Sequence, residues 1–417
     1  MCPRPTSGAG DRMGDVYFKK MVRLKYRGQM LQFRVAQELF SSHEVDVGTQ
    51  RLLRSLLDAR IDGCGKILDL GCGYGPLGLT LKKAGPERVA HLVDRDALAL
   101  DYSRQNAALN ELTNVEVYGS LGYSDVTARD FDLIVSNIPA KAGEPVIVSF
   151  LRDARHYMRP GGLVAVVIVS RLEEAVAGAL DDPNIRVVLR KAWPGHTVWH
   201  YQFADPASQP AVPDGAGSET VAYCRGKMGV SVGRLQFSVR TAYGLPEFDT
   251  LDHRTEMLLA GMLGWQGRPV GRAVVLNPGQ GHVPVAVWRL FQPSAIALVD
   301  RDLLSLRVSR ANLARDGCSE KHVSLWHQVG MPLGALEKAD LVAGLLREDE
   351  GPGVHAWLIG QAAEQLAPGG AAVVSGSSTA ITRLETVARA DKRFEVRERK
   401  RVKGDSFLVL KRHGPGV

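Results

Sequence analysis

The sequence predicts an α/β chain made of two tandem, doubly wound halves with mainly parallel sheets. Three observations carry this: a collinear internal repeat, short apolar strands alternating with helical segments, and a glycine cluster ending the first such strand. LVDRD at 92–96 recurs at 298–302, and Ser103-Arg104-x-Asn106 returns as Ser309-Arg310-x-Asn312. RPGG at 159–162 reappears as APGG at 367–370, and Leu31-Gln32-Phe33 as Leu235-Gln236-Phe237. Asp46 and Thr49 match Asp252 and Thr255. Constant order at offsets of 204 to 208 residues is the mark of a tandem duplication.

Within the first half, 21–35 alternates around Arg27-Gly28 and predicts a β-hairpin. Residues 66–70 form a short apolar strand, and 76–83 a helix with Pro76 at its favoured first position. Strand 89–93, helix 97–109 and strand 131–135 follow, then a helix over 146–158. RPGG reads as a turn into a last strand at 163–169. Residues 205–222 are rich in Pro, Ala, Ser and Gly and lack an apolar period, so they predict a linker. That gives a leader at 1–14, a first domain at 15–204 and a second at 223–413.

The chain has 417 residues, 45% of them hydrophobic, and can bury sizeable cores without staples. Five scattered cysteines (Cys2, Cys64, Cys72, Cys224, Cys318) with no CxxC pair point to neither a disulfide framework nor a zinc site. With no apolar run of membrane length and no signal-peptide pattern, we expect a cytoplasmic monomer holding no metal. A net charge of +7 favours anionic partners, nucleic acid first.

The chemistry centres on Asp69-Leu70-Gly71-Cys72-Gly73-Tyr74-Gly75, where a strand ends and a helix begins. Glycines there let a ligand approach the backbone closely. GxGxG alone also fits dinucleotide binders, but an acid leads this motif. Asp94, closing the next strand, suits ribose hydroxyls.

The runs DLGCGYG, VDRD, SNIPAKAG and RPGG together resemble a class I S-adenosylmethionine-dependent methyltransferase. FSSHEVDVGTQRLL, ahead of the glycine motif, is similar to the ribosomal-RNA guanine N2-methyltransferases, whose pattern there is F-S-x-x-x-x-D-x-G-T/S. Those enzymes commonly pair an intact domain with a degenerate copy, usually placed first. The resemblance covers most of 28–203 and, more faintly, 227–412.

The resemblance implies two tandem Rossmann-like methyltransferase domains, S-adenosylmethionine as cofactor and ribosomal or other structured RNA as partner. Asp69, Gly71, Gly73 and Gly75 would hold the methionine end, Asp94 the ribose, and Ser120 would lie beside the adenine. Asn137 and Pro139 would form the catalytic motif, with Asn137 also lining the cofactor. Ile138 and Lys141 would join Arg23, Lys25 and Arg27 in binding substrate. The family motif is Asn-Pro-Pro-aromatic, whereas this chain has Asn137-Ile138-Pro139-Ala140, so the base-stacking ring is missing. Tyr123, Trp199 and Tyr201 are the candidate replacements. A protein or small-molecule acceptor, or a non-catalytic binding module, are the competing readings.

The repeat sets Asn277 in place of Asp69, Val283 in place of Gly75 and Leu345 in place of Asn137, so the second copy is expected to be catalytically dead. Basic residues crowd the predicted hairpin, where alternation sets Arg23, Lys25 and Arg27 on one face with Tyr17, Phe18, Tyr26 and Phe33 interleaved. A second basic run, 397–403, is expected to be solvated surface, and His196 and His200 structural.

Overall fold

The computed structural model describes residues 15–39, 43–59, 61–204, 220–348 and 350–414. The expected leader, residues 205–219 of the expected linker, and residues 40–42 of the FSS motif lie outside the described residues.

The first half opens with a hairpin of β1 (Phe18–Tyr26) and β2 (Gln29–Ala36), then α1 (Val47–Ser55). There follow β3 (Lys66–Leu70), α2 (Pro76–Ala84), β4 (Val89–Asp94), α3 (Ala97–Leu109), β5 (Val115–Gly119) and β6 (Phe131–Asn137). Next come α4 (Glu144–Arg152), β7 (Met158–Val169), α5 (Glu173–Leu180) and the pair β8 (Ile185–Trp193) and β9 (His196–Phe203). Seven strands make one sheet in the order β5-β4-β3-β6-β7-β9-β8. Only β9 runs against the rest, since β8 is antiparallel to β9 and so points the same way as β7. The order reverses between β3 and β6, and open α/β sheets bind ligands at such a switch, beyond the strands' C-terminal ends.

Alternation along the strands splits the core into two faces. Ile67, Leu92, Leu133 and Val135 pack with the hairpin, α1, α2 and α3. Leu68, Leu70, Val93 and Ile134 pack with α4 and α5. Strands buried on both faces must be apolar almost throughout, which is why β3, β4 and β6 were readable as continuous runs.

The second half repeats the plan. It begins with β10 (Cys224–Val232), β11 (Leu235–Ala242), α6 (His253–Leu263), β12 (Arg272–Leu276) and α7 (His282–Phe291). It continues with β13 (Ala295–Asp300), α8 (Leu303–Arg315), β14 (Val323–His327), β15 (Ala339–Leu345), α9 (Pro352–Gln365) and β16 (Leu366–Ser377). It closes with α10 (Ser378–Ala390), β17 (Phe394–Val402) and β18 (Asp405–Arg412), in a sheet ordered β14-β13-β12-β15-β16-β18-β17.

Three expectations need correction. The hairpins superpose at an offset of 206, since Phe18 pairs with Ala36 as Cys224 pairs with Ala242. Leu31 therefore corresponds to Phe237, and the Leu-Gln-Phe match was slipped by two residues. A two-residue slip keeps every side chain on its own face, so the hydrophobic pattern cannot expose it. Second, α4 ends at Arg152, and Met158 already lies in β7. RPGG is part of that strand, which shifts register against β6 between Phe131 and Leu133. Third, residues 221–223, the first two of them in the expected linker, form a helical turn whose Tyr223 is buried.

The two copies are packed together through the repeated pentapeptide. Asp96 and Asp302 form an antiparallel bridge. The N–H of Ala97 donates to the Arg301 carbonyl at 2.7 Å, and that of Leu303 donates to the Arg95 carbonyl at 2.9 Å. Arg95 pairs with Asp302 at 3.2 Å, and Arg301 with Glu38 at 2.5 Å and Asp96 at 3.4 Å. Around this pseudo-two-fold seam Leu121 and Val146 of the first half pack with Tyr223, Leu245, Leu303, Leu304 and Val308 of the second.

Candidate active site

The glycine loop between β3 and α2 is fixed from below by the N–H groups of Gly71 and Cys72, both donating to the Val93 carbonyl at 2.9 Å. Gly75 caps α2 at φ 91°, and a Cβ there would come within 2.7 Å of Leu79, so only glycine fits. Gly71 and Gly73 also have positive φ, but a Cβ on either would meet nothing within 4 Å. These two glycines thus border open space, as a cradle for a ligand should.

Asp69 is fully buried. Its Oδ2 accepts from the Gly78 N–H at 2.7 Å, while Oδ1 is buried with no hydrogen-bond partner. Burial pushes this carboxyl up to about 7, against the pull of the Gly78 N–H. A buried acceptor left unmatched is costly unless a ligand supplies the donor. Asp94, at the neighbouring strand end, accepts from Gly73 N–H and Asp96 N–H at 2.9 Å each. Burial raises its pKa and the two N–H groups pull it down. A carboxylate has about four acceptor positions, so it retains capacity for hydroxyl donors. Ser120 directly follows β5, its N–H donating to the Asp94 carbonyl at 3.0 Å. Its hydroxyl is already used, donating to Gly122 O at 2.6 Å and accepting from Asp125 N–H at 3.1 Å.

Asn137 ends β6, adjacent to β3, whose Leu70 carbonyl accepts from the Ser136 hydroxyl at 2.7 Å. Its Nδ2 donates to Asp46 Oδ2 at 2.8 Å and to Thr49 Oγ1 at 3.1 Å. Asp46 is the N-cap of α1. Sequence reasoning gave neither Asp46 nor Thr49 a role in the site; the D-x-G-T run was the available signal. Gly48 between them has no room for a side chain, since a Cβ would lie 2.8 Å from Asp46 Oδ2 and 2.9 Å from His196. His196 is in turn 2.9 Å from an Arg51 nitrogen, and Arg51 lies over the Trp193 ring. Tyr74 is buried, with its hydroxyl pKa raised by burial and by the nearby Asp46.

Several expected substrate contacts lie elsewhere. The Ile138 side chain is buried in the α4–α5 core, so only its backbone can serve an acceptor. Pro139 and Lys141 are exposed. Tyr123, Trp199 and Tyr201 are all buried in that same core, so none of them replaces the missing ring. Large aromatics buried on a sheet face do so for area, and sequence does not separate that use from stacking. Arg27 lies in the turn after β1 at φ 46° and is ion-paired to Asp62, whereas Arg23 and Lys25 share the exposed face of that strand. Tyr17, Tyr26 and Phe33 are buried behind it. His200 is buried against the Ser55 hydroxyl, and burial lowers its pKa to about 4.

The second copy's glycine loop aligns at 206, not 208: Gly281 caps α7 at φ 95° as Gly75 caps α2, and Gly279 and Gly73 share φ 56°. Asp69 is therefore replaced by Val275, and Gly71 by Asn277, which sits at φ 49° with Nδ2 donating to the Leu345 carbonyl at 2.8 Å. The loop's apparent losses at Asn277 and Val283 came from the two-residue misalignment; the lost carboxylate is real. Leu345 does take the place of Asn137, since Leu133 pairs with Leu163 as Leu341 pairs with Ala371. What remains is a cavity of about 40 Å³, bordered by Asn277, Asp300, Arg347 and Tyr17 of the first half.

Among the described residues no cluster of side chains suits a metal, and no helix is long and apolar enough to cross a membrane.

Residues 30–183 match the family described as methyltransferase small domain. The uncharacterised protein YbxB of Bacillus subtilis is 32% identical over 166 residues, covering 37% of this chain and 82% of that protein. The ribosomal RNA small subunit methyltransferase C of Haemophilus influenzae (strain Rd) is 37% identical over 138 residues, or 32% of this chain and 40% of that enzyme. The alignment thus spans less than half the length of that relative. A solved structure of the Thermus thermophilus 16S rRNA N2 G1207 methyltransferase, bound to AdoMet and guanosine, matches with a TM-score of 0.65 at 16% identity. That match covers 94% of this chain and 98% of the other, a likeness of fold across both halves.

Proposed function

Because this chain belongs to the methyltransferase small-domain family of class I S-adenosylmethionine-dependent methyltransferases, we propose that its first half methylates an exocyclic base amine, guanine N2-like, in ribosomal RNA. The carrying observation is the placing of Asn137 and the unmatched Asp69 Oδ1 at the ends of adjacent strands, beside open space at Gly71 and Gly73.

S-adenosylmethionine, when bound, supplies an electrophilic methyl group on a sulfonium. Asp69 Oδ1 would accept from its ammonium and Asp94 from its ribose hydroxyls. Asn137 Oδ1 and the Ile138 carbonyl would accept hydrogen bonds from the target amine. Holding both N–H groups aims the nitrogen lone pair at the methyl carbon, so rate comes mainly from orientation. Arg23 and Lys25, on the exposed hairpin face, would meet RNA phosphates.

Ala140 favours a second reading, an amine on a protein or small molecule, because it contributes little of the roughly 1–3 kcal/mol of base stacking. Incubation with methyl-labelled cofactor and either total RNA or total protein decides between them. We expect label in ribosomal RNA; label confined to protein would overturn the RNA assignment.

A further inference from the structure

We infer that Asp46 and Thr49 are positioning residues, which together hold the Asn137 carboxamide in the one flip that presents its oxygen to the acceptor. The inference rests on the reading that Asn137 receives the acceptor amine.

A primary carboxamide offers one oxygen and two N–H donors, and a free one can turn either end towards a ligand. An amine donor needs the oxygen; the flipped amide would set N–H against N–H. Here both Nδ2 hydrogens are taken, by Asp46 Oδ2 at 2.8 Å and Thr49 Oγ1 at 3.1 Å, leaving Oδ1 for a ligand. Residue type matters at Asp46. A carboxylate only accepts, so it would repel Oδ1 in the opposite flip. Asp46 is itself held, because the same Oδ2 accepts from the Thr49 N–H at 3.0 Å as the cap of α1. A rigid helix start thereby sets the geometry of a strand-end side chain 91 residues away.

The second copy is an internal control. It keeps the Asp and Thr as Asp252 and Thr255, but has Leu345 in place of Asn137. With the carboxamide gone, Thr255 Oγ1 is buried without a hydrogen-bond partner. Gly48 is matched by Arg254, whose Nε and Nη2 donate to the two Asp252 carboxylate oxygens at 2.9 and 2.8 Å. Asp252 still caps its helix through the Arg254 N–H. Capping therefore accounts for the Asp in both copies, but not for the threonine hydroxyl or for the second hydrogen bond that the capping oxygen accepts. In the first copy both are used by Asn137.

The test compares Asp46→Asn, Thr49→Val and Thr49→Ser in the full chain, with Asn137→Ala alongside, on whichever acceptor the wild type labels. Asparagine is as good an N-cap as aspartate, and valine matches threonine in shape, so folding should persist. We expect kcat to fall about 10²-fold in Asp46→Asn and about 10-fold in Thr49→Val, the scale of lost orientation. Calorimetric cofactor affinity should stay within about twofold. Thr49→Ser, which keeps the hydroxyl, should restore near wild-type kcat. Normal kcat in Asp46→Asn and Thr49→Val, beside an inactive Asn137→Ala, would overturn this inference alone. A parallel loss of cofactor affinity and melting temperature would overturn it too, marking a structural role. Retained turnover in Asn137→Ala would remove the reading beneath it.

Discussion

Val275 occupies in the second copy the strand position that Asp69 holds in the first. This one exchange removes the buried carboxylate, and the cavity at that strand end holds about 40 Å³. We predict that each chain binds one S-adenosylmethionine. Isothermal calorimetry should give a stoichiometry near one, lost in Asp69→Ala and unchanged in Asn277→Ala. Two equivalent sites would contradict the degenerate second copy.

Asp69 also sets a pH dependence. Its folded pKa of about 7 lies above the ordinary aspartate value, because burial penalises the charge. Between about pH 4 and 7 the folded protein keeps a proton that the unfolded chain has released, so this residue's contribution to stability declines as pH rises across that window. Cofactor binding is expected to run the other way, because the partner proposed for the cofactor's ammonium is the ionised carboxylate. Affinity should weaken as pH falls below about 7, and Asp69→Asn should flatten that profile while binding weakly throughout. A wild-type affinity constant from pH 5 to 8 would refute the pairing.

Replacing Asn137 by alanine should abolish transfer with cofactor affinity nearly intact. Its proposed role is to orient the acceptor and leave the donor alone, so single-turnover rate is the discriminating measurement. Near-normal rates would mean that the acceptor site is elsewhere.

Arg301 and Glu38 are almost completely buried between the copies. Breaking such a buried pair from one side typically costs about 3–5 kcal/mol. Arg301→Ala should therefore unfold at markedly lower denaturant, and adding Glu38→Gln should recover part of the loss. The same seam means that residues 1–204 alone, with Leu121 and Val146 uncovered, should be poorly soluble.

For RNA, the exposed Arg23 and Lys25 should matter more than Arg27, already ion-paired to Asp62. Log affinity should fall linearly with log salt, and neutralising Arg23 and Lys25 should shallow the slope by about 1.4 on single strands, at about 0.7 per contact. Filter binding at several salt concentrations measures this; an unchanged slope would show that face to be merely solvated.

Much of this molecule was legible because its signals are local. The ends of β3 and α3 follow from apolar runs bounded by a glycine loop, an Asp N-cap and a strand break. The misplaced helix over 146–158 and the slipped repeat share another origin: apolar spacing does not mark where a strand begins to bulge, nor detect a slip of two. Asp46, Thr49 and Asn137 were each visible, but no local pattern joins residues that meet only after the first helix docks against the sheet. The seam at Asp96 and Asp302 was hidden for the same reason, although its pentapeptide was the plainest repeat in the chain.

That pentapeptide has a consequence for how the duplicate has been kept. In a symmetric contact each segment is at once ligand and receptor, so a change in either copy is felt by both. Tethering on one chain sets an effective concentration far above that of a free partner, and the pairing becomes an intramolecular event. The second copy could thus lose its carboxylate and its carboxamide and still be retained for the shape of its LVDRD edge. Inheritance of that edge is then a matter of fit between two halves of one molecule, independent of whether both can still do chemistry.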